Sequence, residues 1–231
     1  YKGNSAYTCK GLKSYYWRRI KAIYPASIII TLALIFLDRA SIFSDFSEGV
    51  KYTIGNLFLI EDLLHVSRIN PVSWYLSFLL LYYAAAPFIA FLLSKIKWQP
   101  AFYLMIAAIF IGQIVIVTQN LDNPAHQQLF YTNWKFRFFD FLTGLILGFA
   151  LQKPIIRKKN HRYFFFSCLE IGALILCAVF FYLRVYVPVP YLHGTYYAPF
   201  ILLILIVFHE DGGVVSRFLS CPSVQFFGGL S

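Results

Sequence analysis

Long apolar runs alternate with short polar and charged segments along the whole chain. Several of these runs reach or approach the roughly 20 residues that an α-helix needs to cross a bilayer. The pattern therefore predicts an all-α fold, a polytopic bundle of transmembrane helices. About six spans are expected, at residues 22–37, 73–93, 101–117, 138–151, 163–183 and 196–208.

Residues 52–64 form a further apolar stretch, but they are too few to cross a bilayer. The stretch ends around Glu61 and Asp62, which is typical of an interfacial or re-entrant helix. The first span is also short, unless Arg19 and Lys21 extend their charged ends to the membrane surface.

The composition supports a membrane protein. Of the 231 residues, 59% are hydrophobic and 13% are charged, whereas soluble domains carry about 25% charged residues. The net charge of +10 does not indicate nucleic-acid binding, because the basic residues lie in short clusters between apolar runs. Since no linker, repeat or low-complexity tract divides the chain, we predict a single membrane domain, residues 1–231.

The distribution of basic residues predicts the orientation in the membrane, because Lys and Arg are enriched in cytoplasmic loops. Most of them fall in alternate loops, at residues 10–21, 95–97 and 153–162. This alternation places the start of the chain in the cytoplasm and residues 38–71 outside. The lipid bilayer is thus the first predicted partner.

A basic and aromatic segment, residues 15–25, leads into the first span. Its ordinary interpretation is a positively charged anchor with aromatic side chains at the membrane interface. The alternative is that Arg18 and Arg19 bind phosphate groups, because a guanidinium group donates paired, charge-assisted hydrogen bonds to them.

Other polar and aromatic residues lie in or beside the later spans. Trp74 and Tyr83, on the second span, fit interfacial anchors and also suit a sugar-binding surface. Arg137 and Asp140 are three residues apart on one helical face at the edge of the fourth span. Such a pair is either a structural ion pair or part of a functional cavity. Glu170, inside the fifth span, indicates a polar pocket or a single packing hydrogen bond.

The cysteines and histidines do not form a metal-binding pattern, so neither a metal site nor a bound cofactor is predicted. Cys168 and Cys177 lie inside an apolar run and are expected to be packing residues. Three histidines fall in the predicted outer loops (His65, His126 and His193) and two on the inner side (His161 and His209), and none has a spacing that indicates catalysis.

The order of these segments resembles the acyltransferase-3 family of bacterial membrane proteins. The family motif Phe-x-x-Arg-Arg-x-x-Arg-Ile-x-Pro has Tyr15 here in place of the Phe and Ala22 in place of the last Arg. The matching positions of this motif are Arg18, Arg19, Ile23 and Pro25. Trp74, Tyr83 and Pro87 resemble a second family motif. Many members have an acidic residue within this motif, where this sequence has Leu79 and Leu80. A third is resembled by Trp134, Arg137, Asp140, Phe141 and Gly144.

The resemblance implies an O-acyltransferase of the bacterial inner membrane, most simply an O-acetyltransferase. Its donor would be cytoplasmic acyl-CoA, and its acceptor a hydroxyl of a cell-envelope glycan or lipid-linked saccharide. Arg18 and Arg19 would bind the donor, and Arg137, oriented by Asp140, would serve the acceptor or the oxyanion. Aromatic residues, Trp74 and Tyr83, would shape the pocket.

The catalytic residue is not identified in this sequence, since the family's catalytic His is expected upstream of Tyr1. The chain starts without an initiator Met, and residues 227–231 resemble the start of a late family motif. We therefore expect a fragment that lacks both ends. The alternative functions are a transporter or flippase for a lipid-linked saccharide, which often shows repeat symmetry that is not found here, and a structural membrane subunit.

Overall fold

A computed structural model of the chain describes residues 9–61, 69–70, 73–152, 163–210 and 212–229. Within these ranges the regular elements are helices, and no strand occurs. The all-α prediction is therefore confirmed. The chain forms two compact units, residues 1–95 and 96–231. The single membrane domain stays a prediction.

The first unit is built around its first helix, α1, which packs against α3 and α4. The carboxylate of Asp45 caps α3, because it accepts hydrogen bonds from the backbone N–H groups of Ser47 (2.8 Å) and Glu48 (3.2 Å). The helices of this unit are α1 (Cys9–Leu37), α2 (Arg39–Ile42), α3 (Phe46–Leu57) and α4 (Ser73–Ser94).

The second unit pairs α5 with α6, and packs α7 against α9 and α10. Apolar side chains around Val117, Phe130 and Phe136 join α5, α6, a short π-helix and α8 at one end of the unit. Its elements are α5 (Pro100–Gln119), the π-helix (Gln127–Tyr131), α6 (Trp134–Ala150), α7 (Tyr163–Leu183), a 3-10 turn (Arg184–Tyr186), α8 (Val189–Gly194), α9 (Ala198–His209), α10 (Val214–Leu219) and α11 (Pro222–Gly229).

Five helical segments in the described residues are long and apolar enough to cross a membrane, and each contains a predicted span. All but the last residue of the remaining predicted span, 138–151, lie in α6, whose 17 residues measure about 26 Å at 1.5 Å per residue. That length is slightly below the roughly 30 Å of a hydrocarbon core. The chain is thus a multi-pass membrane protein. The five segments are Gly11–Leu37, Ser73–Ser94, Pro100–Gln119, Tyr163–Tyr186 and Val189–His209.

The helix that contains the first predicted span starts earlier than that span. Instead of beginning at Ala22, α1 begins at Cys9. The hydroxyl of Tyr16 donates a hydrogen bond to the carbonyl oxygen of Ala84 in α4 (3.0 Å). Hydropathy scores each residue alone, so the arginines lower the score of this segment. It does not include hydrogen bonds to a neighbouring helix, such as that of Tyr16. Of the apolar stretch 52–64, residues 62–64 lie outside the described residues.

Candidate functional site

Arg19 lies over two aromatic rings of the first unit. Its guanidinium carbon is 4.5 Å from the ring centroid of Tyr83 and 5.4 Å from that of Tyr15. Both distances fit cation–π attraction. The side chain is exposed and has no hydrogen-bond or acidic partner in the part of the chain that the structure describes. The N–H donors of Arg19 are therefore available to a ligand.

The position of Tyr83 shows how deep this arginine lies along the helix pair. Tyr83 is near the middle of the 22-residue helix α4, so Arg19 is level with the centre of a membrane-length helix. A charged side chain at such a depth is costly unless it faces a polar cavity or a ligand, which makes it a functional candidate. The sequence had placed Arg19 just before the first span, at the membrane surface.

Arg18 is also exposed but has one local hydrogen bond. Its Nε donates to the carbonyl oxygen of Ser14, one helical turn earlier, at 3.2 Å. The two Nη groups of Arg18 have no partner among the described residues. Two adjacent arginines of α1 thus retain guanidinium donors, as a phosphate-binding segment requires.

Trp74 lies in the first turn of α4, apart from Tyr83. Its ring makes edge contacts with Tyr75 (5.9 Å between centroids) and Phe78 (5.7 Å). Since nine residues of helix rise by about 13 Å, Trp74 and Tyr83 occupy different levels of α4. The two rings therefore do not contact each other, and their pocket role stays a prediction.

Arg137 is the centre of a hydrogen-bond network in the second unit. Its Nη1 donates to Oδ2 of Asp140 at 2.6 Å, so the ion pair expected from the spacing forms. Its Nε donates to the carbonyl oxygen of Tyr131 at 3.1 Å, and its Nη2 donates to the carbonyl oxygen of His193. Asp140 also accepts a hydrogen bond from Nε2 of buried Gln113 at 2.9 Å. The network ties α5, α6, the π-helix and α8 together.

An imidazole cluster of three rings, those of His126, Tyr131 and His193, lies beside this network. The two imidazoles stack with 5.5 Å between centroids and 22° between planes. The Tyr131 ring is 5.5 Å from that of His193, and the guanidinium of Arg137 is 5.7 Å from the Tyr131 ring. Sequence reasoning missed this cluster, because His193 is far from His126 and Tyr131 in the chain. The only signal was that both histidines fall in predicted outer loops.

Glu170 holds the start of α10 from within α7. Its carboxylate accepts backbone N–H bonds from Gly213 (2.9 Å), Val215 (2.8 Å) and Ser216 (3.1 Å), and a hydroxyl bond from Ser216 (2.5 Å). A Cβ atom on Gly213 would collide with this carboxylate, so any larger residue there would displace Glu170 from these hydrogen bonds. The described contacts of Glu170 are therefore those of a helix cap, and its pocket role stays a prediction.

Glu61 is a buried carboxylate that the hydropathy pattern did not single out. The residue is fully buried, and neither carboxylate oxygen has a hydrogen-bond partner among the described residues. It follows Leu59, which has a positive φ of 55°, a conformation that a leucine rarely adopts. Because burying an unpaired carboxylate is costly, Glu61 is a second functional candidate of the first unit.

Comparison with known proteins identifies the family. A family model for acyltransferase-3, described as an acyltransferase domain, matches residues 5–231. No curated protein and no solved structure matches the chain. The matched range includes all three motif-like segments, at residues 15–25, 74–87 and 134–144. The chain therefore belongs to the acyltransferase-3 family and is a membrane acyltransferase.

Proposed function

We propose that the protein transfers an acyl group, most simply acetyl, from acyl-CoA to a hydroxyl of a cell-envelope glycan in the bacterial inner membrane. Family membership supports the acyl transfer. The observation that carries the donor assignment is the guanidinium of Arg19, which lies over Tyr83 at the centre of α4 without a hydrogen-bond partner among the described residues.

The donor assignment follows from the chemistry of acyl-CoA, which carries several phosphate groups. An arginine binds a phosphate through two parallel, charge-assisted hydrogen bonds. Such bonds are stronger in a membrane interior than at a surface, since the effective dielectric constant is lower there. Arg18 and Arg19 supply adjacent guanidinium groups for this purpose.

The distribution of basic residues supports a donor that enters from the cytoplasm and an acceptor that enters from outside. The basic residues near the start of α1 and at 153–162 mark the cytoplasmic side. Residues 153–162 connect α6 to α7, so the other ends of these two helices, where the imidazole cluster lies, face outwards. Acyl-CoA would then enter from the cytoplasm, and the glycan from outside.

The reaction requires a base and a group that stabilises negative charge. The acceptor oxygen attacks the thioester carbonyl carbon, the carbon–sulfur bond breaks, and the hydroxyl proton is transferred to the departing thiolate. Arg137 uses three of its five N–H donors in the network described above. The other two remain for the acceptor or the oxyanion, with Asp140 orienting the guanidinium. The family resemblance implies that the base is a His upstream of Tyr1.

The donor assignment is tested with the full-length protein in lipid vesicles, supplied with radiolabelled acetyl-CoA and an envelope glycan. We expect Arg19→Gln to raise the KM for acetyl-CoA roughly 10- to 100-fold, because a hydrogen bond to a charged group contributes about 1.5–3 kcal/mol. Arg39→Gln is the matched control, since Arg39 is an exposed arginine just beyond the opposite end of α1.

An unchanged KM for acetyl-CoA in Arg19→Gln would refute the donor role of this residue. Glycan movement across the vesicle membrane without any acetyl transfer would instead favour the transporter interpretation.

A further inference from the structure

We propose that the imidazole cluster of His126, Tyr131 and His193 binds the acceptor, and that Nε2 of His126 accepts a hydrogen bond from a glycan hydroxyl other than the one that is acylated. This inference rests on the proposed function, because it names where the glycan binds. It also makes Arg137 a positioning residue, since Arg137 donates hydrogen bonds to the backbone carbonyl groups of Tyr131 and His193.

The contact between His126 and Asn123 determines which nitrogen of His126 is free to accept. Nδ1 of His126 lies 3.1 Å from the carbonyl oxygen of Asn123. A carbonyl oxygen only accepts hydrogen bonds, so in the neutral ring the proton is on Nδ1 and the lone pair is on Nε2. Nε2 has no partner among the described residues and is not enclosed. Nε2 of His126 is therefore held in a fixed orientation and can accept a hydrogen bond from a ligand.

The two neighbouring rings provide a surface next to this nitrogen. His193 stacks on His126, and its own ring nitrogens make no hydrogen bond to the described residues. Tyr131 contacts His193 from another direction and is 43% exposed. A sugar presents both C–H faces, which pack on rings, and hydroxyls, which donate hydrogen bonds. The cluster offers the complementary groups for both.

The backbone under the cluster is held in place before any ligand binds. Arg137 donates hydrogen bonds to the carbonyl oxygens of Tyr131 and His193. A Cβ atom on Gly194 would lie 2.7 Å from Cγ2 of Val117, so the peptide after His193 is pressed against the apolar core. Such a rigid arrangement lowers the entropic cost of binding.

The local helix geometry also fits a binding site. His126 directly precedes the π-helix, and Tyr131 is its last residue. Single π-helical turns are rare and occur frequently at functional sites. Residues 126–131 thus combine an unusual backbone with two of the three rings.

The direct test compares two substitutions of His126 in the full-length protein. The acceptor is alkali-treated, de-O-acetylated envelope polysaccharide from the source bacterium, and the donor is radiolabelled acetyl-CoA. We expect His126→Phe, which keeps a ring but removes the acceptor nitrogen, to raise the KM for the polysaccharide about tenfold. His126→Gln, whose amide oxygen reaches close to the position of Nε2, should restore most of this loss. In both variants the kcat and the KM for acetyl-CoA should stay unchanged.

A second measurement does not depend on substitutions. Diethyl pyrocarbonate modifies accessible imidazole nitrogens, and mass spectrometry locates the modified residues. We expect the polysaccharide to protect His126 and His193 at least threefold, and to leave His209 unprotected, because His209 is exposed at the far end of α9.

The outcomes separate the two proposals. Unchanged polysaccharide KM in His126→Phe, or a fall in kcat alone, would overturn the binding role while leaving the acyltransferase function intact. Equal protection of all three histidines would overturn it as well. If the wild-type protein transfers no acetyl to the polysaccharide, the proposed function fails and this inference fails with it.

Discussion

Arg19 and Arg137 are both arginines beside tyrosine rings, yet their guanidinium groups have opposite surroundings. Arg137 donates hydrogen bonds to one carboxylate and two backbone carbonyls. Arg19 faces two aromatic rings and has no hydrogen-bond partner in the described part of its unit. The difference indicates that Arg137 stabilises the structure in addition to any role at the acceptor, whereas Arg19 keeps all its donors for a ligand.

The contrast leads to separate expectations for the two residues. Substitutions of Arg137 should affect folding and the acceptor site together. Substitutions of Arg19 should affect donor binding and leave the free energy of unfolding nearly unchanged. The predictions that test this difference are ordered here by the size of the expected effect on stability.

The largest effect is expected for Arg137→Ala, which leaves the partly buried carboxylate of Asp140 with Gln113 alone and frees two carbonyls. Breaking one side of a buried pair costs about 3 kcal/mol or more. The free energy of unfolding, measured by denaturant titration in mixed micelles, should fall by that amount. Arg137→Ala combined with Asp140→Asn should be less destabilised than Arg137→Ala. A single variant as stable as the wild type would contradict the structural role of Arg137.

Glu170→Gln should have the next largest effect, about 2 kcal/mol, because an amide nitrogen would replace one of two oxygens that together accept four hydrogen bonds. This variant extends the comparison to a carboxylate whose partners all lie at one helix end. The same unfolding titration measures it, and Glu210→Gln, a buried carboxylate at the end of α9, is the matched control. Equal effects of the two substitutions would show that capping of α10 is not the cause.

Arg19→Gln should change the free energy of unfolding by about 1 kcal/mol or less, since an exposed cation–π contact contributes about 0.5–1 kcal/mol. Donor affinity, in contrast, should fall as described above. If Arg19→Gln destabilises the protein as much as Arg137→Ala does, Arg19 is structural, and the comparison between the two arginines is refuted.

Lys51→Met should have the smallest effect, although Lys51 and Glu48 share the 2.6 Å distance and three-residue spacing of Arg137 and Asp140. Both side chains of the α3 pair are largely exposed, so water competes with their interaction. The hydrogen bond and charge of Lys51 lower the pKa of Glu48. The pair therefore stabilises the protein above the unfolded-state pKa of Glu48, and this contribution is lost as the pH falls through the folded-state pKa.

The unfolding midpoint of Lys51→Met at neutral pH should match that of the wild type within error. A shift as large as that of Arg137→Ala would show that the distance and spacing of an ion pair matter more than its burial.

The sequence allowed correct prediction of features that depend on neighbouring residues. Uninterrupted apolar runs indicated the membrane-length helices, and the three-residue spacing indicated the pair of Arg137 and Asp140. The extension of α1 before residue 22 was not predicted, because hydropathy penalises Arg18 and Arg19 and does not include the contact of Arg19 with Tyr83 on another helix.

Contacts between distant residues could not be predicted from one sequence. The stacking of His126 on His193, and of Arg19 on Tyr83, joins residues that are far apart in the chain and follow no local spacing. The position of Glu170 inside an apolar run also did not indicate its partners, which include backbone N–H groups at the start of α10. These contacts depend on how helices pack, which a pattern along one helix does not specify.

The most direct test of the account measures alkali-labile acetate on envelope glycans of cells that express the full-length protein. Wild type, Arg19→Gln and an empty vector are compared at matched levels of protein in the membrane. We predict acetylated glycans with the wild type, little acetate with Arg19→Gln, and none with the empty vector. Glycans without acetate even in the wild-type cells would contradict acetyl transfer to the envelope.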